Sequence, residues 1–172
     1  MIKTIIFHVA GLLVYSMAVA ADSGIEAFFQ AGHTQRPSPG KTVNQYTAGV
    51  GVGLPWTFDD GRLTTRLDSS LGYIDTKKGD VTQVTVQPVI RYQPQAIGYF
   101  VEAGLGLSYV TKRRWSKGND LGSNLNFASR IAGGYDFGKY TLGLNLQHIS
   151  NAGLDQPNDG ANQIDVRLTW RF

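Results

Sequence analysis

The chain has 172 residues and a formal net charge of +3; 42% of its residues are hydrophobic, 17% are charged, 21 are Gly and none is Cys. That length suits one domain with a sizeable core, and the missing Cys removes disulfide frameworks, Cys-based zinc sites and thiol nucleophiles. A charged fraction below the usual ~25% and a small excess of bases argue against a disordered tail, a charge-laced helical bundle and a nucleic-acid binder.

Residues Met1–Ala20 read as an export signal. Lys3 supplies a positive start, Ile5 to Met17 an apolar stretch, and Ala18-Val19-Ala20 a small-residue cleavage site. The apolar stretch is short for a membrane anchor. Removal leaves Ala21–Phe172 as a single domain.

Along the rest of the chain the dominant spacing is two. Apolar or small residues alternate in eight segments, beginning with Ile25–Ala31, Tyr46–Trp56, Leu63–Tyr73 and Val84–Tyr92. The series continues through Ile97–Tyr109, Leu125–Phe137, Tyr140–Leu146 and Ile164–Phe172. Such alternation predicts half-buried strands. The complementary positions carry Glu26, Asp68, Glu102, Asp136 and Asp165 with Arg66, Arg91, Arg130, Arg167 and Arg171. The apolar face has no charge, and the Lys residues sit in the connections. A soluble barrel would turn its apolar residues inward. Balanced acids and arginines can instead pair inside a narrow eight-stranded barrel, leaving the apolar face to lipid.

Aromatic residues at strand ends, among them Tyr46, Trp56, Tyr92, Tyr99, Tyr140 and Trp170, fit interface girdles. A terminal Phe172 in phase with the outward row resembles the assembly signal of outer-membrane barrels. The expected fold is all-β: an eight-stranded antiparallel transmembrane β-barrel of the outer membrane. Short turns fall at Phe58–Gly61, Pro94–Ala96 and Gly138–Lys139, and the longer links Thr34–Thr42, Asp75–Asp80, Thr111–Asp120 and Asn151–Ala161 become external loops.

Two His remain beyond the export signal. His33 reads as a surface residue at the end of the first segment. His148 stands two before Ser150, so both share a face, and a His beside a Ser is the usual base and nucleophile of acyl transfer. His-x-Ser alone is a common pattern. Its parity is less common: the pair continues the outward row Tyr140, Leu142, Leu144, Leu146, where a His facing lipid is costly unless it has a use or meets headgroups at the rim.

The stretch His148–Gly160 (HISNAGLDQPNDG) resembles the signature of the lipid A 3-O-deacylase family (PagL-type), with further family-like pieces at Phe100–Gly106 and from Leu121 to Ile131. The resemblance implies an outer-membrane serine esterase that removes the ester-linked 3-hydroxyacyl chain at position 3 of lipid A. It assigns Ser150 as nucleophile and His148 as general base, and maps the oxyanion hole to the Gly153 N–H and to Asn158. The family's His-orienting Glu falls on Asn162, which shares the outward parity of Ile164. Asn can fix a His tautomer but adds no charge. Two alternatives stand beside it: a carboxylate from Asp155 or Asp159, or a dyad without an orienter.

The implied partner is lipid A or lipopolysaccharide in the outer leaflet, with the site facing that leaflet and Lys112–Lys117 (KRRWSK) as a basic loop able to attract its phosphates. No cofactor, metal or nucleic acid is implied. The oligomeric state stays open, a homodimer included. The competing functions are another outer-membrane lipid acyl hydrolase and a non-enzymatic structural or adhesive barrel.

Overall fold

The computed structural model describes residues 24–35, 42–76, 79–116 and 118–172; the expected export signal lies outside them. Eight strands close into one antiparallel barrel: β1 (Ile25–Gln35), β2 (Thr42–Phe58), β3 (Leu63–Ile74), β4 (Val81–Tyr92), β5 (Gly98–Val110), β8 (Leu125–Asp136), β9 (Tyr140–Ser150) and β10 (Ala161–Arg171). Each neighbours the next, and β10 closes on β1. All eight alternating segments are therefore strands. The sequence did not announce the short hairpin of β6 (Arg114–Ser116) and β7 (Asn119–Asp120), which folds inside the connection between β5 and β8.

The ladder fixes the geometry. Following the ladder once around the wall leads from Ile25 through Val52, Leu67 and Pro88, across the β4–β5 register to Leu105, and on through Ser129, His148 and Asn162 back to Gln35, ten residues further along β1. With ordinary rise and strand spacing, that stagger tilts the strands by roughly 40° to the barrel axis. One end of the barrel carries the tight turns at 59–62, 93–97 and 137–139; the other carries the longer connections.

Parity sorts the side chains as the alternation requires. The outward rows are exposed and apolar: Leu105, Leu107, Ile131, Leu142, Leu144, Val166 and Leu168 are typical. Near the tight-turn end, Tyr99, Tyr135, Phe137, Tyr140 and Trp170 form a continuous aromatic run with centroids 4.8–6.3 Å apart, and Lys139 Nζ lies 5.2 Å from the Trp170 ring. This is the amphipathic belt that a membrane interface selects.

The lumen is layered. Toward the tight turns, Arg66 meets Glu26 at 2.9 Å, Asp68 at 2.7 Å and Glu102 at 2.8 Å. Arg91 meets Glu102 at 2.7 Å, and both Arg130 and Arg167 reach Asp68 at 2.9 Å. Fork-shaped guanidiniums suit such shared, multiply bonded pairs. Two of them also stack on inward aromatics, Arg91 on Phe100 at 4.1 Å and Arg167 on Phe28 at 3.6 Å. Above lies an amide layer in which Gln163 donates to Gln83 at 2.8 Å and Gln147 to Gln163 at 2.7 Å, while Asp165 accepts from Gln45 and Asn145.

At the loop end the lumen turns apolar, which the charge pattern alone did not suggest. Ile74, Val81, Val110, Ala128, Ile149 and Ala161 point inward and close around Trp115 and Leu121 from the β5–β8 connection. Trp115 is fully buried, its Nε1–H donating to the Lys112 carbonyl at 2.7 Å. The β6–β7 hairpin is thus a plug in the mouth, and this cap holds the wall on which the site sits.

Candidate active site

β9 ends at Ser150, and its last three residues divide between two environments. Ile149 points into the apolar cap, so His148 and Ser150 on either side of it point outward. β10 starts the same way: Ala161 enters the cap, and Asn162 points out beside His148, its register partner. The wall backbone is therefore pinned from inside by the residues that alternate with the polar ones. His148 Nδ1 and Asn162 Oδ1 are 2.7 Å apart. An amide oxygen only accepts, so Nδ1–H is the donor and the Nε2 lone pair is left available. Ser150 is half-buried, and no hydrogen bond joins it to His148 in this structure. Unliganded sites are often this loose.

Neither carboxylate alternative bonds to the imidazole among the described residues. Asp159 Oδ2 accepts the Asp120 N–H at 2.7 Å, Asp155 is exposed, and Asp165 is buried in the lumen. No carboxylate pairs with His148 among the described residues.

Beyond Ser150 the 151–160 connection is organised by Asn151, which is buried. Its Nδ2 donates to Leu121 O at 2.8 Å and Asp155 O at 2.9 Å, and its Oδ1 accepts the Gly153 N–H at 2.8 Å. Its own N–H donates to Asn158 Oδ1 at 3.2 Å. Ala152 and Gly153 both take left-handed backbone, at φ 56 and φ 80, which makes the reversal tight. Of the two expected oxyanion donors, then, Asn158 keeps its Nδ2 hydrogens uncommitted, whereas the Gly153 N–H is already bonded to Asn151.

Three contributors went unassigned in the sequence. Ser129 on β8 is the other register partner of His148 and is outward and exposed. With Ile131, Leu146, His148, Asn162 and Ile164 it lines an open groove on the lipid-facing wall. Leu125, Phe127 and Ile131 alternate along this segment, and Ser129 is the polar residue interrupting them. Gly160 sits against the imidazole: a Cβ there would lie 2.9 Å from His148 Cε1, on a left-handed backbone with φ +61. Asn119, buried in the plug, donates to Gly160 O at 2.9 Å. Asp120 and Asp159 exchange two further bonds, tying the plug to the same connection. The Lys112–Lys117 stretch is accordingly more than a solvated basic loop. Trp115 is internal, and Arg113 and Arg114 fold onto Asp120 while staying about half exposed; Lys117 lies outside the described residues.

The family profile described as lipid A 3-O-deacylase (PagL) matches residues 43–171. The chain belongs to the lipid A 3-O-deacylase family. It is 37% identical over 129 residues to the lipid A deacylase PagL of Pseudomonas aeruginosa, covering 67% of this chain and 73% of that protein. A second PagL, from Bordetella bronchiseptica, is 27% identical over 113 residues, covering 64% of this chain and 62% of its own length. The crystal structure of the outer membrane enzyme PagL superposes with a TM-score of 0.74 at 29% identity, covering 86% of this chain and 99% of that one. Neisserial surface protein A, at 12% identity and a TM-score of 0.55, shares the fold alone. A PagL-family barrel belongs in the outer membrane, so its tight-turn end is periplasmic and the His148 end faces outward.

Proposed function

We propose that this chain, once its export signal Met1–Ala20 is removed, is an outer-membrane serine esterase that hydrolyses the 3-hydroxyacyl ester at position 3 of lipid A. The observation that carries the reading is the outward-facing His148–Asn162 pair, with Ser150 on the same face of the same strand. Ser150 Oγ attacks the ester carbonyl while His148 Nε2 takes its proton. Asn162 holds the ring through Nδ1–H. The developing oxyanion is met by Asn158 Nδ2 and by the Gly153 N–H, which exchanges Asn151 Oδ1 for the substrate oxygen. Collapse expels the sugar alkoxide, protonated by His148. A water activated by the same imidazole then releases the 3-hydroxy fatty acid.

The outward position suits the substrate. Lipid A chains pack against the barrel wall, so a wall-mounted nucleophile at headgroup depth reaches the ester without lifting the lipid out. The groove lined by Ile131, Leu146 and Ile164 offers that chain an apolar track.

The test is mass spectrometry of purified lipid A, and separately of phospholipid, incubated with the wild type and with Ser150→Ala. Loss of one 3-hydroxyacyl mass from lipid A by the wild type alone is expected, with the variant slower by about 10³-fold or more. Cleavage of phospholipid only would move the assignment to another acyl hydrolase. No mass change in either lipid would leave the non-enzymatic barrel.

A further inference from the structure

The outward wall at the depth of the site is not uniform. Following the ladder from Ser129, the facing residues are His148, Asn162 and Gln35, one on each of four adjacent strands. Two residues below Gln35 on the same outward face stands His33, exposed, with outward Asn44 as its register partner on β2. The strand tilt brings His33 to nearly the same membrane depth as His148, with about 12 Å between their Cα atoms, as judged from strand spacing and rise. In the opposite direction the partner of Ser129 is Leu105, followed on β5 by outward Leu107 and Tyr109, all exposed. The polar sector therefore runs to one side only, from β9 across β10 and β1 to β2.

Charge has the same asymmetry. The 151–160 connection beside Ser150 carries Asp155 and Asp159 and no base. An anionic group near the nucleophile is therefore pushed away from that connection, toward the β10–β1–β2 wall. The family match starts at residue 43, so β1, with His33 and Gln35, lies outside it.

From this placement we propose a headgroup subsite on the β10–β1–β2 wall: the phosphorylated sugar of the lipid lies across it, and His33 and Gln35 donate to a phosphate. The proposal rests on the lipid A reading above. It sets the direction of the substrate, with the sugar toward β1 and the scissile chain over the β8–β9–β10 groove. Imidazole and carboxamide N–H groups are suitable phosphate donors at an interface. A sugar phosphate within a few bonds of the ester also spans the distance between the two histidines once side-chain reach is allowed for.

The experiment uses the full barrel in detergent mixed micelles with two probes, bisphosphorylated lipid A and chemically dephosphorylated lipid A. His33→Ala and Gln35→Ala are compared with the wild type and with Thr82→Ala on the far wall. Expected is a rise in KM of about threefold to tenfold for each sector variant on the phosphorylated lipid. Kcat should stay within about twofold, no difference should appear on the dephosphorylated lipid, and Thr82→Ala should have no effect. Equal losses on both lipids, or a fall in kcat with KM unchanged, would overturn the subsite. A binding arm in the Ser150→Ala background, by calorimetry with the same two lipids, keeps the proposal separate from catalysis. If the wild type cleaves neither lipid, the esterase reading fails. The subsite then stands or falls on whether His33→Ala weakens binding of the phosphorylated lipid alone.

Discussion

The contact between Gly160 and His148 makes the site testable at a position that carries no reactive group. Replacing Gly160 by Ala adds one methyl, and two costs follow. The backbone there has φ +61, and an L side chain in that region costs about 1–2 kcal/mol of stability. The new Cβ would also lie 2.9 Å from His148 Cε1 and 3.3 Å from Ile149 O, against a normal carbon–carbon separation of about 3.5–4.0 Å. Ile149 is locked in the apolar cap, so the ring is what yields, by roughly 0.6–1 Å. A shift of that size lengthens the 2.7 Å Nδ1–Oδ1 bond beyond hydrogen-bonding range and swings Nε2 away from Ser150. Misplacement of about 1 Å typically costs 10²-fold in rate, equivalent to about 2.7 kcal/mol of barrier. Gly160→Ala should therefore deacylate lipid A about 100-fold more slowly in a mass-spectrometric rate assay, while still running as a folded barrel on unheated gels. Gly61→Ala is the control, because Gly61 also has positive φ, +85, but nothing within 4 Å and a place in a periplasmic turn. It should lose stability and keep its rate. A Gly160→Ala rate within twofold of the wild type, or an equal loss in Gly61→Ala, would refute the reasoning.

Three further outcomes are expected. Asn162→Ala removes the acceptor for Nδ1–H and should lower kcat by about 10²-fold, whereas Asn162→Glu should retain or raise it; an unchanged Asn162→Ala rate would take Asn162 out of the mechanism. Glu102 lies among Arg66, Arg91 and Arg130, so Glu102→Gln leaves three guanidiniums short of their shared anion and should cost about 3–5 kcal/mol, read from a urea midpoint in micelles. For Asp120 in the plug, burial pushes the carboxyl upward, but the Gly122 N–H and the guanidiniums of Arg114 and Arg113 outweigh it and hold it below its ordinary 3.8. A pKa depressed by folding adds stability above the unfolded value that is lost only as pH falls through the folded one. Trp115 emission, isolated by Trp56→Phe and Trp170→Phe, should stay constant from neutral pH to about 4 and change only below it; a change already at pH 5–6 would contradict the clasp.

Most of the wall was legible from residue types because a two-sided strand writes both environments into alternate positions. Asp68 and Glu102 at even positions, with Leu67 and Val101 beside them, already separate lumen from lipid. The placement of the candidate residues was legible to the same depth: parity puts His148, Ser150 and Asn162 on one face, and the structure has all three there. What escaped depends on contacts remote in sequence. Trp115 sits in a run of bases whose composition reads as solvated, and only folding back into the mouth makes it core. Gly160 looks like ordinary loop glycine until His148 is placed beside it, and Asn119 acts through a carbonyl 41 residues away. His33 read as an isolated surface residue because its relation to His148 appears only after the ladder has run across β10.

The same wall bears on the Asn at position 162, where the family resemblance places a Glu. A carboxylate there would stand on the lipid-facing wall, and a charge in that setting is expensive unless it is paired and hydrogen-bonded. The arginines of the neighbouring strands, Arg167 and Arg130, are turned into the lumen and committed to Asp68. A neutral amide avoids the desolvation cost and still fixes the tautomer, since its Oδ1 accepts from Nδ1–H at 2.7 Å. In the proposed mechanism, what it gives up is charge stabilisation of the imidazolium that would form as Ser150 attacks. That stabilisation is worth most where water is scarce, so the choice exchanges transition-state electrostatics for a resting wall without an unpaired charge. The same mechanism would then ask more of the proposed oxyanion donors, Gly153 and Asn158. The buried Asn151 hub, bonded through its side chain and its N–H to Leu121, Asp155, Gly153 and Asn158, would supply the rigidity such donors need.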